Sequence, residues 1–509
     1  MLSTVLSYGL SGIDGFPVTV EVNLSGGLPV FELVGLPDAA VRESRERVRA
    51  AMKNSGFGFP DDRLIVNLAP ADLKKEGPAF DLAIAVGVVA STGLIPPEAL
   101  RGIAVLGELS LDGSIRPVRG ALPMTIAARE NGVPRIALPE GNAREVSCVA
   151  GIDILPFSSL KDLIACLRGS LKVAPITPVA YQTLLGARTA VSDFRYIKGQ
   201  MFAKRALEIA AAGGHNALLI GTPGSGKTLL ARAVPTILPD MSFGEALEAT
   251  RIHSAAGFPP ESGLLTERPF RSPHHTASPA AIVGGGASAL PGEISRAHHG
   301  VLFLDELPEY RRDVLEVLRQ PMEDGVVTIT RVSAQSTYPA QFMLVCSMNP
   351  CPCGNYGSRS AQCRCTPNQI RQYLNRISGP LLDRIDLHIE VESIPADELA
   401  SPGDEETSAS VRVRVEAARA VQRERYQAQG IACNARLDAR TLSPNCPMSP
   451  EAKRLLRDAS EAMGFSNRAY TRVVKVARTI ADLAGGGQIE LAHIAEAVQY
   501  RALDRKYWG

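Results

Sequence analysis

The chain has 509 residues, a formal net charge of +1, 45% hydrophobic and 21% charged residues, the composition of an ordinary soluble globular protein with room for two to four domain cores. Near-neutral charge excludes a globally basic nucleic-acid binder, so any such surface is a local patch. No apolar run reaches the roughly 18–20 residues needed to span a bilayer, and the start at Met1 lacks the basic and long apolar segments of a signal peptide, so a cytoplasmic protein without membrane contact is expected.

Residues 1–168 alternate strand-like runs with helices. Runs 18–22, 30–34, 64–68 and 103–106 read as strands, Asp38 as the N-cap of a charged helix over 39–52, and 79–90 as an apolar helix. This is a self-contained α/β unit. Arg42, Arg45, Arg47, Arg49 and Lys53 offer a basic face, but Glu43 and Glu46 interleave them, as on an exposed solvated helix. Residues 169–192 carry Pro175 and Pro178 with little periodicity and read as a linker.

A nucleotide unit is expected over 193–394. The apolar run Asn216–Ile220 is followed by Gly221, Thr222, Pro223, Gly224, Ser225, Gly226, Lys227 and Thr228, and then by a helical pattern. Strand, glycine loop and helix are the context of a phosphate loop, whose backbone N–H groups cradle phosphates. Lys227 would reach the β- and γ-phosphates of ATP, and Thr228 would offer its hydroxyl to Mg²⁺. Downstream, Gly300–Leu304 is an apolar strand ending in Asp305 and Glu306. Active groups sit at the carboxyl ends of such buried strands. Asp305 would help hold Mg²⁺, and Glu306 would orient and deprotonate the attacking water. A further strand, Gln341–Met348, ends in Asn349, which is placed to position that water against the γ-phosphate.

Between these motifs, residues 326–333 suggest a hairpin with Arg331 near its tip, either gripping phosphates or merely solvated. The pairs His274-His275 and His298-His299 raise a metal reading. Adjacent residues on extended chain face opposite ways, which favours structural or nucleotide-state contacts. Four of the nine cysteines, Cys351, Cys353, Cys363 and Cys365, fall within fifteen residues. Zinc takes four thiolates tetrahedrally at about 2.3 Å, and two Cys-x-Cys pairs around a glycine-bearing loop can converge that way. The spacing is tighter than in common zinc knuckles, and reduced structural thiols or a disulfide are the alternatives. A second break covers 395–408, and 409–509 read as a helical domain with patterns near 410–429, 449–463, 467–484 and 490–503.

The motif set resembles the AAA+ ATPases of the magnesium-chelatase-like branch. The markers are Asp193-Phe194, Lys198-Gly199-Gln200, the segment 270–276 with its histidine pair, Gly284 to Ser295, and Leu302 to Pro308. Over nearly the whole chain it is similar to the bacterial YifB/ComM family, which joins a Lon-protease-like amino-terminal domain to this ATPase. The resemblance implies a three-part α/β architecture: a Lon-like domain, a P-loop domain with a parallel sheet and a helical lid. It implies an ATP- and Mg²⁺-dependent homo-oligomer, a hexameric ring acting on single-stranded or branched DNA as a helicase for branch migration in natural transformation. Arg384 matches the arginine finger that enters a neighbouring subunit's site; alternatively it pairs with Asp383 or Asp386. Arg468 matches the second sensor, with Arg472 one turn away as competitor. Where Lon carries its Ser–Lys dyad, this chain has Ala79 and Leu122, so acyl transfer is excluded. The competing readings are a magnesium-chelatase motor subunit and a protein-remodelling ATPase.

Overall fold

The computed structural model describes residues 1–185, 192–286, 289–330, 335–357, 362–394 and 405–508. The chain opens with β1 (Leu2–Ser11) and β2 (Asp14–Ser25), an antiparallel pair joined by a turn at Gly12 and Ile13. Next come β3 (Val30–Val34), β4 (Arg63–Ala69), β5 (Ile103–Val105), the small pair β6 (Glu108–Leu109) and β7 (Ile115–Arg116), then β8 (Arg135–Pro139) and β9 (Asp153–Phe157). Apart from β6 and β7, they form one sheet in the order β3-β4-β2-β1-β5-β8-β9.

Helix Asp81–Ser91 is buried along its whole length, which is why it reads as uniformly apolar. Helix Ala39–Asn54 is capped by Asp38, whose Oδ1 accepts the Val41 N–H at 2.8 Å. Three of its five basic residues are engaged locally: Arg47 binds the buried Asp81 at 2.6 Å, Arg45 pairs with Glu46, and Arg49 lies over Phe59. The strand β1 escapes a sequence reading because its inward face carries serines. Ser3 and Ser7 are buried and donate to the Gly87 and Val105 carbonyls at 2.7 and 2.8 Å, so burial leaves no polar group unsatisfied.

The second sheet is built from short apolar runs. The strands are β10 (Ala217–Gly221), β11 (Phe270–Arg271), the pair β12 (Gly284–Gly285) and β13 (Leu290–Pro291), β14 (Val301–Leu304), the hairpin β15 (Val326–Thr330) and β16 (Gln335–Pro339), β17 (Met343–Met348) and β18 (Leu387–Val391). Five of them form a parallel sheet in the order β11-β14-β17-β10-β18. The inner strands β14, β17 and β10 are buried throughout and almost wholly apolar, Ser347 apart, whereas the edge strands carry Arg271, His388 and Glu390. The expected hairpin is present, but Arg331 lies outside the described residues.

The carboxy-terminal helices are Ser408–Tyr426, Ala439–Asn445, Pro450–Met463, Asn467–Leu483, Leu491–Gln499 and Ala502–Trp508. The expected helix over 490–503 is therefore broken. Tyr500 O accepts the His388 N–H and Arg501 donates to Ile385 O, so the chain turns there to dock its last helix on β18. Val411, Val415, Val473 and Ile480 share one hydrophobic core with helix Met201–Gly213 and β10, so these helices complete the nucleotide unit's core.

The amino-terminal unit docks on helix Phe243–Ala256. Ser254 Oγ binds the buried Glu145 carboxylate, Gly120 N donates to Ser254 O at 3.2 Å, and Arg251 pairs with Asp14 at 2.5 Å. The β1–β2 turn also reaches the hairpin: a methyl built on Gly12 would lie 3.6 Å from Ser336 Cβ, and Ile13 packs against the core containing Ile329 and Tyr338. Among the described residues, no helix is long and apolar enough to cross a membrane.

Candidate active site

The strands β14, β17 and β10 are neighbours in the sheet, so three motifs far apart in sequence emerge side by side at their carboxyl ends. Helix Lys227–Ile237 starts at Lys227 immediately after Gly226, whose φ of 91° suits only glycine without strain. Lys227 is 9% exposed. Its Nζ donates to Gly221 O and Thr222 O, both at 2.8 Å, and to Asn349 Oδ1 at 3.2 Å. Burial lowers the lysine's pKa, opposed by the charges of Asp305 and Glu306. The other phosphate-loop residues run from the end of β10 to this helix, and Thr222 is tied to Ser393 at 2.7 Å.

Thr228 Oγ1 donates to Asp305 Oδ2 at 3.1 Å, and Ser347 Oγ donates to Asp305 Oδ1. A hydroxyl and a carboxylate beside the phosphate loop are hard oxygen donors, which suits Mg²⁺. Glu306 projects from a left-handed backbone position, φ 54°, with its side chain 54% exposed. Its N–H is held by Asp305 Oδ1 at 3.2 Å and Ser347 Oγ at 3.4 Å. A non-glycine residue held there marks a site where structure over-determines geometry. Its carboxylate lies 3.9 Å from His275 Nδ1. Sequence reasoning missed Ser347, although a hydroxyl in an otherwise apolar strand was the available signal. Parallel pairing of β11 with β14 brings His275 beside Glu306.

Both histidine pairs contradict the expectation of opposite faces. The rings of His274 and His275 lie 4.1 Å apart in a turn. Those of His298 and His299 lie 3.8 Å apart because His299 adopts φ 57°. Both of the latter face Glu248, at 3.2 and 2.7 Å, and their contact holds its carboxyl down to about 2. His298 Nδ1 accepts the Gln341 N–H at 3.0 Å. With Nδ1 accepting, a neutral His298 ring would carry its proton on Nε2, toward Glu248. Glu248, His298 and His299 also bring their donor atoms within 4.8 Å of one another, close enough to hold a metal ion.

Arg384 is 5% exposed. It pairs with neither Asp383 nor Asp386. Its guanidinium binds Glu323 at 2.5 Å and Pro380 O at 2.6 Å. Asn216 Nδ2 donates to Arg384 O at 3.1 Å, fixing it at the amino end of β10, whereas the phosphate loop leaves the carboxyl end. Five strand residues at about 3.3 Å each separate the two by roughly 16 Å, more than an arginine side chain spans. Arg468 is 55% exposed and lies 3.8 Å from the same Glu323 oxygen. Its competitor Arg472 is committed to the buried Asp386, which also accepts the Asn216 N–H at 2.9 Å and faces His215. Burial raises the Asp386 pKa, but Arg472 and His215 overcome it and hold the carboxyl far below its usual range. Asp386→Ala is expected to destabilise the chain by about 3–5 kcal/mol, the cost of stranding a buried charge, measured by urea unfolding.

The four clustered cysteines converge. Cys351 Sγ lies 3.4 Å from Cys353 and 3.7 Å from Cys363, and Cys353 lies 3.7 Å from Cys363. All four sulfurs, Cys365 included, fall within 4.8 Å of one another. Tetrahedral bonds of about 2.3 Å place sulfurs about 3.8 Å apart, so the cluster fits zinc. In the amino-terminal unit, Leu122 is fully buried and Ala79 packs against the same cluster. The two positions that the Lon resemblance matches to its dyad are thus apolar.

Family comparison agrees with this geometry. The model for magnesium chelatase subunit ChlI matches residues 193–399, that for subunit ChlI of Mg-chelatase residues 20–142, and that for the ChlI carboxy-terminal region residues 405–501. The uncharacterized protein YifB of Salmonella typhimurium is 44% identical over 99% of this chain and 98% of its own. Competence protein ComM of Haemophilus influenzae is 43% identical over 99% of this chain and 98% of its own. The chain belongs to the YifB/ComM family of magnesium-chelatase-like proteins. It is an AAA+ ATPase, with ATP as substrate and Mg²⁺ as its metal. Lon protease 2 of Bacillus subtilis is 24% identical over 28% of this chain and 27% of its own, and a Lon-like similarity lies in the amino-terminal region.

Proposed function

We propose that copies of this chain form a hexameric cytoplasmic ring that hydrolyses ATP to move along DNA, as a ComM-like helicase promoting branch migration during natural transformation. The observation that carries the ring is the separation of Arg384 from its own phosphate loop along the length of β10; the likeness to competence protein ComM supports the DNA part of the reading. A finger that cannot reach its own nucleotide is useful only against a neighbour's. In this reading Lys227 and the loop N–H groups hold the phosphates, while Thr228 and Asp305 hold Mg²⁺, which neutralises charge on them. Glu306 and Asn349 orient the attacking water. Arg384 exchanges Glu323 for the adjacent subunit's γ-phosphoryl group. Arg468, beside the same carboxylate, acts on that face as the second sensor. Residues 1–168 form a non-proteolytic platform, 169–192 and 395–408 are linkers, 193–394 the motor and 409–509 the lid.

The decisive measurement is ATPase rate with and without single-stranded or branched DNA at low salt. We expect stimulation by DNA, because hydrolysis is coupled to movement along it. Unchanged turnover together with no DNA binding would overturn the reading. It would favour the second one, a chelatase motor subunit or protein remodeller, for which the matched chelatase family models speak.

A further inference from the structure

The cysteine cluster lies against the nucleotide machinery. Cys351 follows Asn349 by two residues, and Asn349 Oδ1 accepts from Lys227 at 3.2 Å. Gly354 turns the knuckle with φ 80°, its N–H donating to Cys351 O at 2.9 Å. A Cβ built on Gly354 would stand 2.5 Å from both Cγ and Cδ of Pro223, so the knuckle's backbone touches the ring of the third phosphate-loop residue with no room between. Tyr356, whose N–H donates to Cys351 Sγ at 3.4 Å, sets its ring edge-on to Tyr507 of the last helix, 6.3 Å between centroids. The opposite side of the loop is tied through Thr222 to Ser393.

We propose that Cys351, Cys353, Cys363 and Cys365 bind one zinc ion, and that the loaded knuckle is a brace that fixes the phosphate loop and Asn349 for nucleotide binding. The proposal rests on the ATPase reading of the site. A loop of glycines has little stiffness of its own. One wall of this loop is a proline ring, and the surface it leans on is cross-linked by four sulfurs if zinc is present. Backbone N–H groups of Asn355 and Arg364 face Cys353 Sγ as Tyr356 faces Cys351, the outer-shell support that thiolate ligands require. Zinc would supply folding energy here and no chemistry at the phosphates. Gly354 is then a positioning residue that acts through Pro223.

The test uses the full chain, with zinc measured by elemental analysis and affinity by equilibrium binding of a fluorescent ATP analogue with Mg²⁺. We expect about one zinc per chain, as one Cys₄ site holds. Stripping it with a chelator should weaken nucleotide binding on the order of 10–100-fold, the cost of a small misplacement of binding groups, and zinc but not extra Mg²⁺ should restore it. Gly354→Ala, which forces a Cβ into Pro223, should keep its zinc and still weaken nucleotide binding. This variant keeps the brace testable if stripping unfolds the chain. Absence of zinc overturns the metal assignment. Unchanged nucleotide affinity in Gly354→Ala overturns the brace. A wild-type chain that binds no nucleotide refutes instead the ATPase reading beneath both.

Discussion

Lys227→Ala is expected to bring ATP hydrolysis to background, a loss on the order of 10²–10³-fold or more, the scale for removing one preorganised charge-stabilising group. Lys227 starts its helix with its ammonium anchored on two loop carbonyls and on Asn349. It is therefore already aimed where phosphates would lie and needs little reorganisation. The variant loses no hydrophobic core contact, so its melting temperature should stay near that of the parent. Phosphate release and thermal denaturation together check this. A near-normal rate in a folded variant would count against the whole site.

Arg384→Ala should lower turnover by roughly 10³–10⁵-fold, the value of trans arginines in other nucleotide hydrolases. ATP binding should survive, since the residue sits at the far end of β10 from its own loop. The partner left behind, Glu323, is 48% exposed, so its solvation limits the stability cost. Mixing Arg384→Ala chains with Lys227→Ala chains should restore activity. In mixed rings some interfaces pair the intact loop of one variant with the intact finger of the other. No rescue at any mixing ratio would refute a shared site.

The nucleotide motifs were legible because a buried parallel strand needs an unbroken apolar run, and the residue after it is at the active edge. Lys227, Asp305, Glu306 and Asn349 each follow such a run, and the sheet order β14-β17-β10 then makes them neighbours. The partner of Arg384 was not legible. Glu323 is distant in sequence, and only the packing of helix Arg319–Asp324 beside residues 379–384 brings the charges together. The expected opposite facing of the paired histidines fails because alternation holds for extended chain, whereas His299 has left-handed backbone and His275 sits in a turn. The strand β1 was hidden by serines that face inward and bond to carbonyls.

The turn at Gly12 and Ile13 rests on the hairpin β15–β16. A lever needs something to push against. In the proposed motor, any stroke of that hairpin would bear on the seven-stranded sheet behind the turn, which would make the Lon-like fold a chassis: mass and stiffness for the moving parts to work against.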